Sequence, residues 1–294
     1  MAVKVEGTIN IKVNLNAVVR YYRRHGVMTQ PGKYAEMYQG LPDNAPELVE
    51  VVQGLLIHVF HAHRYGVKLD QERVKRDLSL RRTEDMLARI LELDDRLVTS
   101  KRDFDKRMVA NCRDYSVLMV SMLRHKGIPA RTRCGFGTYF TPDKYEDHWV
   151  CEYWDRDQKR FVRVDAQLDE VQKTALKIVF DPLDIPPGVF LPAGRVMQLC
   201  RRGIINPTQC GILNMWGLWF VRDNVLRDLM ALNKLELMPW DCNDFMQKRD
   251  RTPEDEDLVD EVADMTTAGD GFFPHMRQLY KSHPELGMPR DWMH

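Results

Sequence analysis

Apolar positions along the chain change period just after Gly127, and that change divides the expected elements into two kinds. Residues 3 to 15 alternate in part (Val3, Val5, Ile9, Ile11, Val13, Leu15) and predict a strand. Asn16 to Arg24 predicts a short helix stopped at Gly26, and residues 30 to 46, with Pro31, Gly32, Gly40, Pro42 and Pro46, predict a loop. From Pro46 to about Tyr65, Leu48, Val51, Val52, Leu55, Leu56 and Val59 recur at helical spacing, with Gly66 as the stop. Residues 69 to 80 and 83 to 97 predict two more amphipathic helices, the second opened by Thr83, Glu84 and Asp85 as cap and acidic first turn. The charged residues 99 to 110 read as a lead-in loop.

Asn111 to Gly127 predicts a helix with Val117, Leu118, Val120, Met122 and Leu123 as its apolar side, ended by Gly127 and Pro129. After it the period shortens, and 129–140, 149–154 and 161–166 predict strands. Residues 180 to 195 are rich in Pro and Gly and read as irregular, 212 to 235 as helix, 254 to 264 as a solvated acidic helix, and the tail as loop. Helices followed by alternating strands imply an α+β fold rather than a doubly wound one. The expected parts are a mainly helical stretch over 1–98, a core over 99–180 and a capping extension over 181–294, packed as one domain.

Charge narrows the partners. Lys plus Arg and Asp plus Glu both total 43, so no global positive field draws nucleic acid. No apolar run is long enough to span a membrane, and residues 1 to 7 lack the basic-then-apolar layout of a secretory signal. Six cysteines in 294 residues is below the density of a disulfide framework, so a reducing cytoplasmic setting with free thiols is expected.

One of those thiols stands where chemistry is favoured. Cys112 opens the helix that begins after Asn111, where unpaired backbone N–H groups and the macrodipole are expected to lower its pKa. If 149–154 and 161–164 pair around a tight turn centred on Arg156 and Asp157, Trp149 faces Val164, Cys151 faces Val162, and His148 faces Asp165. A carboxylate opposite an imidazole can hold its N–H and set the tautomer, leaving the ring to take the Cys112 proton. The Cys112 backbone N–H, with Asn111 as a candidate neighbouring donor, would hold the oxyanion. Taken singly, each residue has a plainer reading: a small buried hydrophobe, a structural histidine, a strand-end carboxylate.

The segments Asn-Cys-Arg-Asp-Tyr-Ser (111–116), His-Lys-Gly-Ile-Pro-Ala-Arg (125–131), Asp-His-Trp-Val-Cys-Glu-Tyr-Trp (147–154) and Phe-Val-Arg-Val-Asp-Ala (161–166) together resemble the transglutaminase-like superfamily. The resemblance covers roughly residues 100 to 170. It implies a papain-like core, a nucleophile helix packed on an antiparallel sheet, and Cys112, His148 and Asp165 as a catalytic triad working through a thioester without a cofactor. Asn111 stands where the family often has a glycine-containing lead-in, and Trp149 where alanine is frequent. Members of such a superfamily cleave amides, transfer acyl groups to amines, or serve as inactive scaffolds, so fold alone does not choose. The expectation is a cysteine hydrolase acting on a peptide, protein or small amide, with water as the default acceptor. The alternatives are an amide-forming acyltransferase and a non-catalytic binding module.

Other clusters carry less. Cys112, Cys134, His148 and Cys151 contain no Cys-x-x-Cys pair, and Cys151 would face away from His148, so no metal site is expected. His58, His61 and His63 read as polar positions of the long helix, Trp216, Trp219 and Phe220 as core, and residues 20 to 24 as a solvated basic face. No phosphate-binding glycine loop is present.

Overall fold

The computed structural model describes residues 15–289 and Trp292, so the strand expected over 3–15 lies, save for Leu15, outside the described residues. The N-terminal part runs α1 (Leu15–Tyr22), α2 (Ala45–Leu55), β1 (Leu56–His58), α3 (Gln71–Asp77), α4 (Thr83–Leu93) and β2 (Met108–Ala110). Next come α5 (Cys112–His125), β3 (Ala130–Gly137), β4 (Tyr145–Asp155), β5 (Arg160–Val164) and α6 (Glu170–Leu176). The rest is β6 (Phe190–Pro192), α7 (Ala193–Arg201), β7 (Cys210–Ile212), β8 (Met215–Trp216), α8 (Leu218–Leu232), α9 (Asp244–Gln247), α10 (Pro253–Thr267) and α11 (Phe273–Ser282). Helix and strand are thus mixed in an α+β arrangement.

The long helix expected to reach Tyr65 stops at Leu55. Leu56 to His58 leave it as a strand that pairs in parallel with Met108 to Ala110. An apolar run buried on every side carries no period to tell helix from strand, and Leu56, Ile57 and His58 are all buried. Residues 62 to 65 form one short 3-10 turn ended by Gly66 at φ 73°. The tail also departs from expectation, because Pro274 sits in the first turn of α11, where a missing N–H costs nothing.

β3 lies between β6 and β4, and β4 carries both β5 and β7 on its far side. β3 covers β4 from Glu146 to Tyr153. On the far side β7 takes only Tyr145 and Glu146, and β5 takes Cys151 to Asp155. Among the described residues, 147 to 150 therefore have no strand partner on that edge. Cys151 and Val164 look into a core shared with α2, α4 and α5. Val150, on the opposite face, is covered by Ile185 and Phe190. The C-terminal helices build a second core with Tyr22 and Phe136, and α8 packs along β3.

The β4–β5 hairpin departs from the expected register by two residues. Cys151 faces Val164 and Tyr153 faces Val162. The cause is the turn, which spans the four residues 156–159 instead of two. Asp155 Oδ1 accepts from the N–H groups of Asp157 and Gln158, and Lys159 adopts φ 52°. A shift of two leaves every side chain on its expected face. Asp165 thus meets His148 as a diagonal neighbour rather than an opposed one.

Candidate active site

α5 begins at a complete capping box. Asn111 Oδ1 accepts from the Asp114 N–H at 3.2 Å, and Asp114 Oδ2 accepts from the Asn111 N–H at 3.0 Å. Arg113, fully buried, donates to the carbonyl oxygens of Glu236 and Arg81 and to Asp114 Oδ1. The cap and the guanidinium fix where the helix starts, and so where Cys112 stands. The Cys112 and Arg113 N–H groups, in the first turn, have no intrahelical partner. Among the described residues the side-chain NH₂ of Asn111 reaches only the Met238 sulfur, at 3.8 Å.

His148 and Asp165 are brought together. His148 Nε2 lies 2.9 Å from Asp165 Oδ2, with both side chains almost fully buried. Asp165 Oδ2 also accepts from the Tyr139 hydroxyl at 2.7 Å, and Oδ1 accepts from the Gln167 N–H at 3.0 Å. The imidazole is flanked edge-on by Phe140 at 4.9 Å and Tyr139 at 5.8 Å between ring centres. Gly135, opposite His148 on β3, has to be glycine, since a Cβ there would lie 2.2 Å from the Leu191 carbonyl of β6. That close approach also brings Phe190 near the imidazole, 6.5 Å away between ring centres.

Cys112 reaches the same stretch of β4 from the core side. Its apolar companions are Cys134, Trp149 and Ala231, and it is 7% exposed. The Trp149 backbone N–H, on the strand edge left open by β5 and β7, is near enough to the sulfur to favour its ionised form. No hydrogen bond joins the thiol to His148 Nδ1 among the described residues.

The resting sulfur is a thiol. Burial pushes Cys112 well above the ordinary thiol range, and the charges of Asp147 and Asp165 push the same way, against the Trp149 N–H. The lowered pKa expected from the helix start is therefore overturned: desolvation outweighs the N-terminal donors. Asp147 is itself buried, takes a 2.7 Å hydrogen bond from Asn224 Nδ2, and is raised by burial.

Tyr139, Gln167 and Asn224 have no signal in the linear pattern: Tyr139 and Asn224 fall inside the expected 129–140 strand and 212–235 helix at positions no motif marks, and Gln167 lies just past the expected 161–166 strand. The expected position of His58, His61 and His63 on a helix face also changes. His58 ends β1 and is 5% exposed, while His61 lies beyond it, 5.1 Å away between ring centres. Of the Trp216, Trp219 and Phe220 group only Phe220 is core, and Trp219 is 44% exposed. Tyr22, expected on a solvated face, is fully buried and donates to the Leu232 carbonyl.

A cavity of about 970 Å³ opens between α2, the 98–107 segment and the 165–183 segment. Asp165 lines it, with Glu50, Lys101, Arg107 and Asp169, whereas Cys112 and His148 do not. No group of three His, Cys, Asp or Glu side chains is arranged to hold a metal among the described residues. Among them, too, no helix is long and apolar enough to cross a membrane.

Residues 86–166 match the family model of the transglutaminase-like superfamily. No characterised relative and no solved structure matches the chain.

Proposed function

We propose, from the transglutaminase-like character of residues 86–166, that this chain is a papain-like cysteine enzyme in which Cys112 attacks an amide carbonyl. His148 takes the thiol proton through Nδ1, because Nε2 is committed to Asp165. The sulfur–carbon bond forms as the carbonyl π pair moves onto oxygen. Collapse expels the amine, protonated by His148, and leaves a Cys112 thioester. Water then hydrolyses the thioester, or an amine takes the acyl group. The observation that carries this reading is the buried 2.9 Å pair of His148 and Asp165 beside the open β4 edge where the Cys112 sulfur sits. To engage His148, the side chain of Cys112 turns from the Trp149 N–H toward Nδ1, a tightening expected of catalytic contacts on substrate binding.

Asn111 remains the proposed side-chain donor to the oxyanion beside the Cys112 N–H, leaving the weak Met238 acceptor for the charged oxygen. The division into 1–98, 99–180 and 181–294, a peptide, protein or small amide substrate, a cytoplasmic setting, and independence from nucleic acid and membranes belong to the same proposal.

The burial of Cys112 favours a second reading, a scaffold that keeps the fold without turning over. Iodoacetamide separates the two. An enzyme labels Cys112 faster than Cys200 and Cys242, which are more exposed, and His148→Ala slows Cys112 alone. Labelling in the order of exposure favours the scaffold. Trapping the acyl-enzyme and offering amines then decides hydrolysis against transfer.

A further inference from the structure

β1 and β2 run in parallel and end together at the start of α5. His58 is level with Ala110, two residues before Cys112, and the Val59 N–H donates to the Ala110 carbonyl at 2.9 Å. The carboxyl ends of adjacent parallel strands are where such sheets present groups to ligands. The His58 ring lies 6.4 Å from that of Tyr115, in the first turn of α5, and 5.1 Å from that of His61. It is close enough to His148 for a charge on one ring to act on the other.

The hydrogen bonds of His58 decide what it can do. The Phe60 N–H donates to His58 Nδ1 at 3.2 Å, so that nitrogen is the acceptor and the proton of the neutral ring is on Nε2. Burial, with His61 and His148 in support, keeps the ring neutral. Nε2 makes no hydrogen bond among the described residues. His58 therefore cannot take the thiol proton, since one nitrogen is filled and the other already carries hydrogen. What it offers is a preoriented N–H on a largely buried ring, with no protein acceptor among the described residues.

We infer that His58 Nε2–H is a donor to the oxyanion formed when Cys112 adds to the carbonyl, acting with the Cys112 backbone N–H. This rests on the cysteine-enzyme reading and assigns a further residue to it. The donor is needed only once the carbonyl π pair has moved onto oxygen, so His58 accelerates acylation without altering the reactivity of the thiol itself.

That distinction supplies the test. Acylation by 4-nitrophenyl acetate, followed by release of 4-nitrophenolate, passes through an oxyanion. Alkylation by iodoacetamide does not. In the full-length chain, His58→Ala is expected to slow acylation of Cys112 by about 10²–10³-fold, with alkylation changed less than about twofold. His58→Gln, which can place an amide N–H near the same position, is expected to recover most of the loss. The deficit should be constant between pH 6 and 9, because the ring is neutral throughout.

Acylation within threefold of the parent, or acylation and alkylation falling together in both variants, overturns the assignment. If His58→Ala fails to fold, the ratio of the two rates in His58→Gln and His58→Phe decides, with Phe expected to lose acylation alone. A parent chain that 4-nitrophenyl acetate does not acylate at Cys112 overturns the cysteine-enzyme reading, and this assignment with it. A parent that acylates normally beside an unaffected His58→Ala overturns this assignment only.

Discussion

The Tyr139 hydroxyl donates to Oδ2 of Asp165, the same oxygen that holds His148 Nε2. Two donors on one oxygen fix the carboxylate as well as the ring, and Tyr139 comes from the β3–β4 connection. That connection therefore carries both a wall of the site, through Phe140, and a support of its orienting acid. Removing the hydroxyl with Tyr139→Phe keeps the ring and loses one charge-assisted hydrogen bond, worth about 1.5–3 kcal/mol. Because water can replace part of that bond at a half-buried side chain, Cys112 acylation is expected to fall about three- to tenfold. Single-turnover release of 4-nitrophenolate measures it, and an unchanged rate would remove Tyr139 from the site.

Asp165→Asn tests the orienting role more severely. The carboxamide is nearly the same shape and can still accept from the Gln167 N–H, so the fold should survive. Its NH₂ group can face His148 Nε2, which drives the ring proton to Nδ1 and blocks uptake of the thiol proton. The comparable change in a serine triad costs about 10⁴ in turnover, and here acylation is expected to fall at least a hundredfold. A melting temperature within a few degrees of the parent, read beside the rate, separates tautomer loss from unfolding.

His148, Asp165 and Cys112 stand out from the chain because each begins or ends a strongly periodic segment. Alternation alone puts His148 and Asp165 on one face, whereas the approach of Cys112 to β4 comes from tertiary packing that alternation does not encode. The register was legible only in parity: the hairpin was expected to close on two residues, and the Asp155 side chain instead wraps a four-residue turn. Face survives a slip of two, so the His148–Asp165 contact was anticipated for a register that does not occur. The strand at Leu56–His58 was hidden because burial on all sides erases periodicity, and its partner, residues 108–110, lies fifty residues away. The thiol pKa failed for a different reason. A helix start can be read from sequence, but the depth at which it is buried depends on α8 and β4, which the local pattern does not encode.

Arg113 makes the site sensitive to the C-terminal extension. Its guanidinium is buried and satisfied by the Glu236 and Arg81 carbonyls and by Asp114. Arg113→Ala would leave those acceptors unpaired and Asp114 without its cation. Breaking a buried pair in this way costs about 3–5 kcal/mol. The expected outcome is a large drop in urea midpoint at neutral pH. Arg113→Lys should recover little, since one ammonium cannot reach acceptors on three segments. A midpoint unchanged in Arg113→Ala would detach the α5 start from residue 236.

Buried thiols also set how the fold responds to alkali. Burial raises Cys112, Cys134 and Cys151, so all three keep their protons in the folded chain where the unfolded chain loses them. Above the unfolded thiol pKa of about 8.5 the unfolded state binds fewer protons, and stability must fall as pH rises. Each thiol contributes up to about 1.4 kcal/mol per pH unit once fully ionised in the unfolded chain. Below about pH 7 both states hold the protons and the effect vanishes. Urea unfolding at pH 7.5, 8.5 and 9.5 should show a shallow first interval and one about three times steeper after it. Cys134→Ala and Cys151→Ala should each flatten that fall by about one thiol's share. A slope untouched in both variants would mean that the loss of stability comes from other buried groups, the fully enclosed Tyr22 and Tyr38 among them.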